Sequence, residues 1–83
     1  MTEIKINFQY KNNNKIIKSN SDEKMISICN KFIKEINLNL LIDELSFYYE
    51  DKEIEYESKF CQHFGDKTDI VLIVKESIEK ILK

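Results

Sequence analysis

The sequence predicts a two-layer α+β domain, a mixed β-sheet with one main helix packed across it, in the order ββαββ, short helix, β. Three observations lead there. Ile4, Ile6, Phe8 and Tyr10 alternate with Lys5, Asn7 and Gln9, the period-2 signature of a strand with one wet face. Met25, Ile28, Cys29, Phe32, Ile33 and Ile36 recur at helical spacing and draw one apolar stripe over three turns. Ile70-Val71-Leu72-Ile73-Val74 is apolar without alternation, the pattern of a strand in the middle of a sheet. One amphipathic helix and several strands have a simple two-layer solution, with the helix covering one sheet face.

The remaining elements fit between these three. Lys11-Asn12-Asn13-Asn14 is a polar turn, where asparagine tolerates left-handed backbone, and Lys15 to Ser19 is a short return strand. Asn20-Ser21-Asp22 carries N-cap chemistry for the helix, with Asp22 and Glu23 suited to the positive end of its dipole. Lys24, Lys31, Lys34 and Glu35 fall on the polar side, and Asn37 and Asn39 end the helix. Leu38, Leu40, Leu41 and Ile42 are expected in an apolar connection packed under it. Leu45 to Tyr49 is a strand, Glu50-Asp51-Lys52-Glu53 a turn without glycine, and Ile54 to Tyr56 a weaker strand. Phe60 to Phe64 reads as one short helical turn closed by a left-handed Gly65. Thr68 to Lys75 is the last strand, and Ser77 to Lys83 returns to helical spacing.

Composition excludes several function classes. The 83 residues are 42% apolar and 34% charged, with a net charge of −2. That is enough apolar content for one small core and too little net charge for a long-range pull on nucleic acid or anionic lipid. All the fixed positive charge is lysine, whereas reading phosphates or guanine edges leans on arginine. With Gly65 the single glycine, no glycine-rich phosphate loop can form. No stretch is long and apolar enough to span a membrane, and the first residues lack signal-peptide form. Two cysteines make no disulfide framework. Cys29 lies on the apolar helical stripe and is expected to be a buried thiol. Cys61 and His63 are too few for a tetrahedral metal site, and no third group is at hand to orient a nucleophile. No catalysis, cofactor or metal is expected. An intracellular protein, cytoplasmic or nuclear, and a monomer, is the expectation.

Taken together, these segments resemble the ubiquitin family over about Glu3 to Glu76. The likeness rests on the helix pattern Met25-x-x-Ile28-x-x-x-Phe32, on Leu45-Ser46-Phe47-Tyr48-Tyr49-Glu50-Asp51-Lys52-Glu53-Ile54, and on the apolar pair Phe60 and Phe64 before the last strand. It implies the β-grasp fold, with the last strand central and the second at an edge. It divides the chain into a ubiquitin-like domain, 1–76, and a helical extension or linker, 77–83. The family's turn usually carries glycine where this chain has Asp51. Conjugated members end in a Gly-Gly tail, which does not follow the last strand here. The resemblance therefore implies a non-conjugated interaction module, part of a larger protein and binding a protein partner. The alternatives are a modifier precursor of the ubiquitin or small ubiquitin-like type lacking its Gly-Gly, or an acidic–basic pairing domain of the Phox and Bem type.

Three candidate surfaces follow. Strand alternation turns Leu45, Phe47 and Tyr49 inward and Tyr48 outward, where by resemblance it takes the place of the central isoleucine of ubiquitin's binding patch. Turning Ile70, Leu72 and Val74 inward keeps Asp69 and Lys75 out of the core and avoids their desolvation. Val71, Ile73 and Lys75 then join Tyr48 in a patch. The edge strand and helix would frame a peptide groove at Lys15, Ile16, Lys18, Lys24 and Lys31, where small ubiquitin-like modifiers add a strand; edge protection by lysine explains the same residues. Glu50, Asp51 and Glu53, continued by Glu55 and Glu57, form an acidic cluster.

Overall fold

The computed structural model describes residues 2–37 and 44–76. They form strands β1 (Glu3–Tyr10) and β2 (Asn13–Asn20), helix α1 (Met25–Glu35), strands β3 (Leu45–Tyr49) and β4 (Lys52–Glu53), the short helix α2 (Phe60–Phe64) and strand β5 (Asp69–Glu76). The sheet order is β2-β1-β5-β3-β4. β5 is central, parallel to β1 and antiparallel to β3, and β2 is an edge. The expected positions of Leu38 to Ile42 and of 77–83 lie outside the described residues.

α1 covers one sheet face because its stripe and the inward rows of three strands are apolar together. Met25, Ile28, Cys29 and Phe32 are buried against Ile4, Ile6, Phe8, Leu45, Phe47, Ile70, Leu72 and Val74. Aromatic rings join the layers. Phe32 stacks on Phe8 with centroids 4.5 Å apart, and Phe47 meets both edge-on at 6.2 and 5.9 Å. Tyr49 also turns inward but packs on α2, its ring 4.9 Å from Phe64, rather than on α1. Burial pushes the Cys29 thiol far above its ordinary range, so it behaves as a small apolar group.

α1 begins at Met25 with Lys24 as its N-cap, and no side chain caps it. The expected cap residues are used earlier: the Asn20 side-chain oxygen accepts from the Asp22 backbone N–H at 3.1 Å, a local turn. The helix N–H groups are satisfied from far along the chain. Met25 and Ile26 donate to the carbonyls of Ser58 and Tyr56, at 2.9 and 3.0 Å. Phe60 and Cys61, at the start of α2, donate to the carbonyls of Glu23 and Ser21, at 2.9 and 3.0 Å. Lys24 and Lys59, the residues before the two helices, form an antiparallel bridge. Each helix is capped by backbone leading into the other.

The turns depart from the sequence reading in one consistent way. β1 and β2 are joined by Lys11 and Asn12, and the left-handed residue is Lys11 (φ 53°), not an asparagine. β3 and β4 are joined by Glu50 and Asp51, both at positive φ, 50° and 70°. That is the requirement of the tight hairpin turn that favours Asn-Gly. Because the turn closes in two residues, β4 is Lys52–Glu53, not Ile54 to Tyr56. The chain then leaves the sheet to bury Ile54, whose N–H donates to the Phe47 carbonyl at 2.9 Å. Tyr56 donates its hydroxyl to the Leu45 carbonyl at 3.1 Å. α1 ends just before Asn37, which is left-handed (φ 53°). Gly65 has φ 60° but ψ −125°, outside the left-handed helical region and open in practice only to glycine.

A left-handed non-glycine residue costs roughly 1–2 kcal/mol, so the Glu50-Asp51 turn stores strain. Replacing it with Asn-Gly (E50N together with D51G) should stabilise the domain by about 1 kcal/mol after allowing for the greater unfolded-state freedom of glycine. The expected result is a melting temperature higher by about 4–8 °C. An unchanged or lower value in thermal and urea denaturation would show that the turn is not strained.

Candidate functional site

The sheet has one covered face and one open face, and the sheet register fixes what the open face displays. β2 sets Ile16 opposite Asn7 of β1, and Asn7 is level with Val71 of β5. One row higher, Gln9 is level with Ile73, and Ile73 pairs with Tyr48 of β3, itself opposite Glu53 of β4. At the lower edge Lys18, Lys5 and Asp69 share a row; at the upper edge Lys75 pairs with Ser46. The large exposed apolar residues among those described are Ile16 (58% exposed), Val71 (43%) and Ile73 (37%). All three lie on this face. A depression of about 510 Å³ on it is lined by Lys5, Asn7, Ile16, Tyr49, Glu50, Asp69, Ile70, Val71 and Ile73; Tyr48 and Lys75 lie outside that lining.

Tyr48, Val71, Ile73 and Lys75 are therefore neighbours. Tyr48 is half-buried, and the Lys75 ammonium lies over its ring, 5.1 Å from the centroid, a cation–π contact. Glu50, Asp51 and Glu53 are exposed beside it and take part in none of the ion pairs found among the described residues.

The other face of β2 differs. A groove of about 380 Å³ between β2 and α1 is lined by Lys15, Ile16, Ile17, Lys18, Lys31, Lys34 and Glu35. Lys24 is not among them; it stands at the head of α1, bridged to Lys59. Two of the groove lysines are committed internally. Lys15 pairs with Glu35 at 3.3 Å. Lys31 reaches Glu23 at 2.6 Å and the Ser19 hydroxyl at 3.1 Å, and Ser19 donates to the same Glu23 oxygen. Burial pushes the Glu23 carboxyl up, but the hydrogen bonds from Lys31 and Ser19 outweigh it and hold the group below the ordinary carboxylate range.

Cys61 and His63 both lie on α2, two residues apart. Residues two apart on a helix point different ways, and the His63 Nε2 lies 3.2 Å from the Glu55 carbonyl oxygen. Among the described residues no cluster of His, Cys, Asp and Glu has the make-up of a metal site, and no helix is long and apolar enough to cross a membrane.

No family model matches the chain, and no curated protein matches it by sequence. Solved structures do match by shape. The ubiquitin-like domain of Arabidopsis thaliana protein At2g32350 superposes with a TM-score of 0.73 at 16% identity, over 92% of this chain and 79% of that one. The chain has the ubiquitin-like β-grasp fold. A structure described under molecular mimicry of SUMO in DNA repair gives 0.76 at 8% identity, over 90% and 92%. ATBAG1, solved in complex with HSP70, gives 0.79 at 13% identity, over 95% of this chain and 43% of that one. Identities this low establish the fold alone, so the surface is read from the chain's own residues.

Asn7 escaped the sequence reading altogether. It looked like one more polar residue on the wet side of β1, and only the register shows it set between Ile16 and Val71.

The Glu23 carboxyl supplies a pH test. Its folded-state value is lowered, so its contribution to stability is complete above the ordinary unfolded value near 4.3 and is lost as pH falls through the depressed folded value. Glu23→Gln should cost under about 1 kcal/mol at pH 7 and should flatten the acid limb of the stability profile below pH 5. An acid limb identical to the parent's, followed by circular dichroism, would mean Glu23 carries none of it.

Proposed function

We propose that this ubiquitin-like domain is a protein-interaction module within a larger protein, binding its partner through the open sheet face with Tyr48, Val71, Ile73 and Lys75 at the contact. The observation that carries this reading is the gathering of the exposed apolar residues on one face. Single exposed apolar groups are ordinary. Here Ile16, Val71 and Ile73 are all on the uncovered side of the sheet, with an amphipathic tyrosine beside them and charges at the rim. An apolar centre with an aromatic anchor and a polar rim is the make-up of interaction hot spots. The structural likeness to ATBAG1, whose structure includes HSP70, supports protein partnering for a chain of this shape.

The groove beside β2 is the weaker candidate, because Glu35 and Glu23 already occupy Lys15 and Lys31. Acidic–basic pairing keeps one supporting observation, the exposure of Glu50, Asp51 and Glu53 without ion pairs. Reversing the charge of Asp51 and Glu53 would abolish binding in that reading and alter it modestly in ours.

Adjacent tyrosines make an internal control. Tyr48→Ala should leave the melting temperature nearly unchanged and weaken partner binding about thirtyfold, the equivalent of about 2 kcal/mol. Tyr49→Ala removes the contact with Phe64 and should lower stability while leaving the binding of the folded fraction intact. The measurements are thermal melts and affinity for a partner obtained by cross-linking and mass spectrometry. Normal binding by both folded variants would move the contact off the open face.

A further inference from the structure

The last strand outruns one of its neighbours. β1 pairs with β5 as far as Tyr10 and Val74, then turns away at Lys11. β5 continues through Lys75 and Glu76, which among the described residues have only β3 beside them, at Ser46 and Leu45. A strand end with one neighbour frays more readily than a stretch held on both sides. Yet Lys75 stands where the contact surface needs order, its ammonium 5.1 Å from the centroid of the Tyr48 ring. One exposed cation–π contact is weak against the rotamer freedom of a lysine stem. The backbone beneath it must be held by something else. How well it is held can be read at one amide. The Phe47 carbonyl is turned away from β5, to the Ile54 N–H. In an antiparallel ladder that leaves the bonds between β3 and β5 to the alternate pairs, among them Ser46 and Lys75.

The covered side of the sheet supplies the hold. Alternation puts Glu76 there, in line with Ile70, Leu72 and Val74. A carboxylate that ends an apolar row needs polar partners, and one of its oxygens has two. The Tyr10 hydroxyl donates to it at 2.5 Å, and the Lys11 ammonium lies 3.0 Å from it and 5.3 Å from the centroid of the Tyr10 ring. Tyr10 is itself anchored in the core, its ring edge-on to Phe32 at 6.3 Å. Side chains therefore fasten the end of β5 to β1 where the backbone pairing has stopped. Successive side chains of a strand point to opposite faces, so fixing Glu76 on the covered side fixes Lys75 on the open one.

We infer that Glu76 is a positioning residue for the open face: clasped by Tyr10 and Lys11 on the covered side, it holds the end of β5 in place and so keeps Lys75 over Tyr48. The inference rests on the reading of Tyr48 and Lys75 as contact residues for its functional meaning. Its test needs no partner, so either can fail while the other stands.

The test compares isotope-labelled parent protein with two variants by NMR. Glu76→Gln removes the charge that holds Lys11. Tyr10→Phe removes the hydroxyl donor and keeps the ring in the core. The readouts are amide exchange at Lys75 and the shifts of the Lys75 side-chain protons, which a ring beneath them moves upfield. In each variant the Lys75 amide should exchange about tenfold faster. Its side-chain protons should move back toward the positions of an unrestrained lysine, while the Ile70 and Leu72 amides keep their protection. The double variant should add little to either single one, because both break the same node. Unchanged Lys75 signals in both variants would overturn the inference. Faster exchange along the whole of β5 would overturn it too, since Glu76 would then serve general stability. So would a Lys75 amide that opens while the side-chain shifts stay put, for the lysine would then hold its own place over the ring. Effects that simply add in the double variant would show Tyr10 and Glu76 acting separately, and would remove the clasp.

Discussion

The contact among Phe8, Phe32 and Phe47 is the constraint on which the rest depends. Phe8 comes from β1 and Phe47 from β3, the two strands flanking β5, and Phe32 of α1 touches both. Three fully buried phenylalanines each contribute roughly 2–3 kcal/mol of burial, and their shared contact sets the helix over the central strand. Once α1 lies there, β5 must turn Ile70, Leu72 and Val74 toward it, and the sheet pleat sends Val71, Ile73 and Lys75 to the other side. The composition of the open face is thus a by-product of the core.

Much of this was legible in the sequence. Periodicity alone placed β1, α1 and the inward rows. The cost of burying Asp69 and Lys75 was sufficient to choose the facing of β5, and the structure has that facing, with both residues exposed. What could not be read depends on partners distant in the chain. The start of α1 was misplaced because cap rules look for a local side chain, whereas the caps are carbonyls some thirty residues away. β4 was misplaced because the two-residue turn used residues that seldom adopt left-handed backbone. For the candidate surfaces, alternation could put Tyr48 and Val71 on a face, but whether Asn7 lay between apolar neighbours depended on the β1–β2 register, which the turn sets.

The upper end of the sheet shows the same economy of local means. The Tyr10 hydroxyl donates to the Glu76 carboxylate at 2.5 Å, and the Lys11 ammonium lies 3.0 Å from the same oxygen. Burial, then the carboxylate beside it, pushes the Tyr10 hydroxyl up; the Tyr10 hydrogen bond, then Lys11, holds Glu76 below its ordinary range. Lys11 is thus both the strained turn residue and a partner for Glu76, so the first hairpin is joined to the last strand.

The mutual capping of α1 and α2 gives the segment from Ile54 to Lys59 an unusual character. It is irregular and several of its side chains are exposed, so it resembles the surface loops in which evolution freely adds and removes residues. Yet its carbonyls at Tyr56 and Ser58 are in register with two N–H groups of one helix, and the residues after it are in register with two carbonyls before the other. Adding or deleting a single residue here would shift that register and uncap both helices at once. The exposed side chains of Glu55 and Glu57 are open to substitution, but the segment's length is as constrained as that of a core strand.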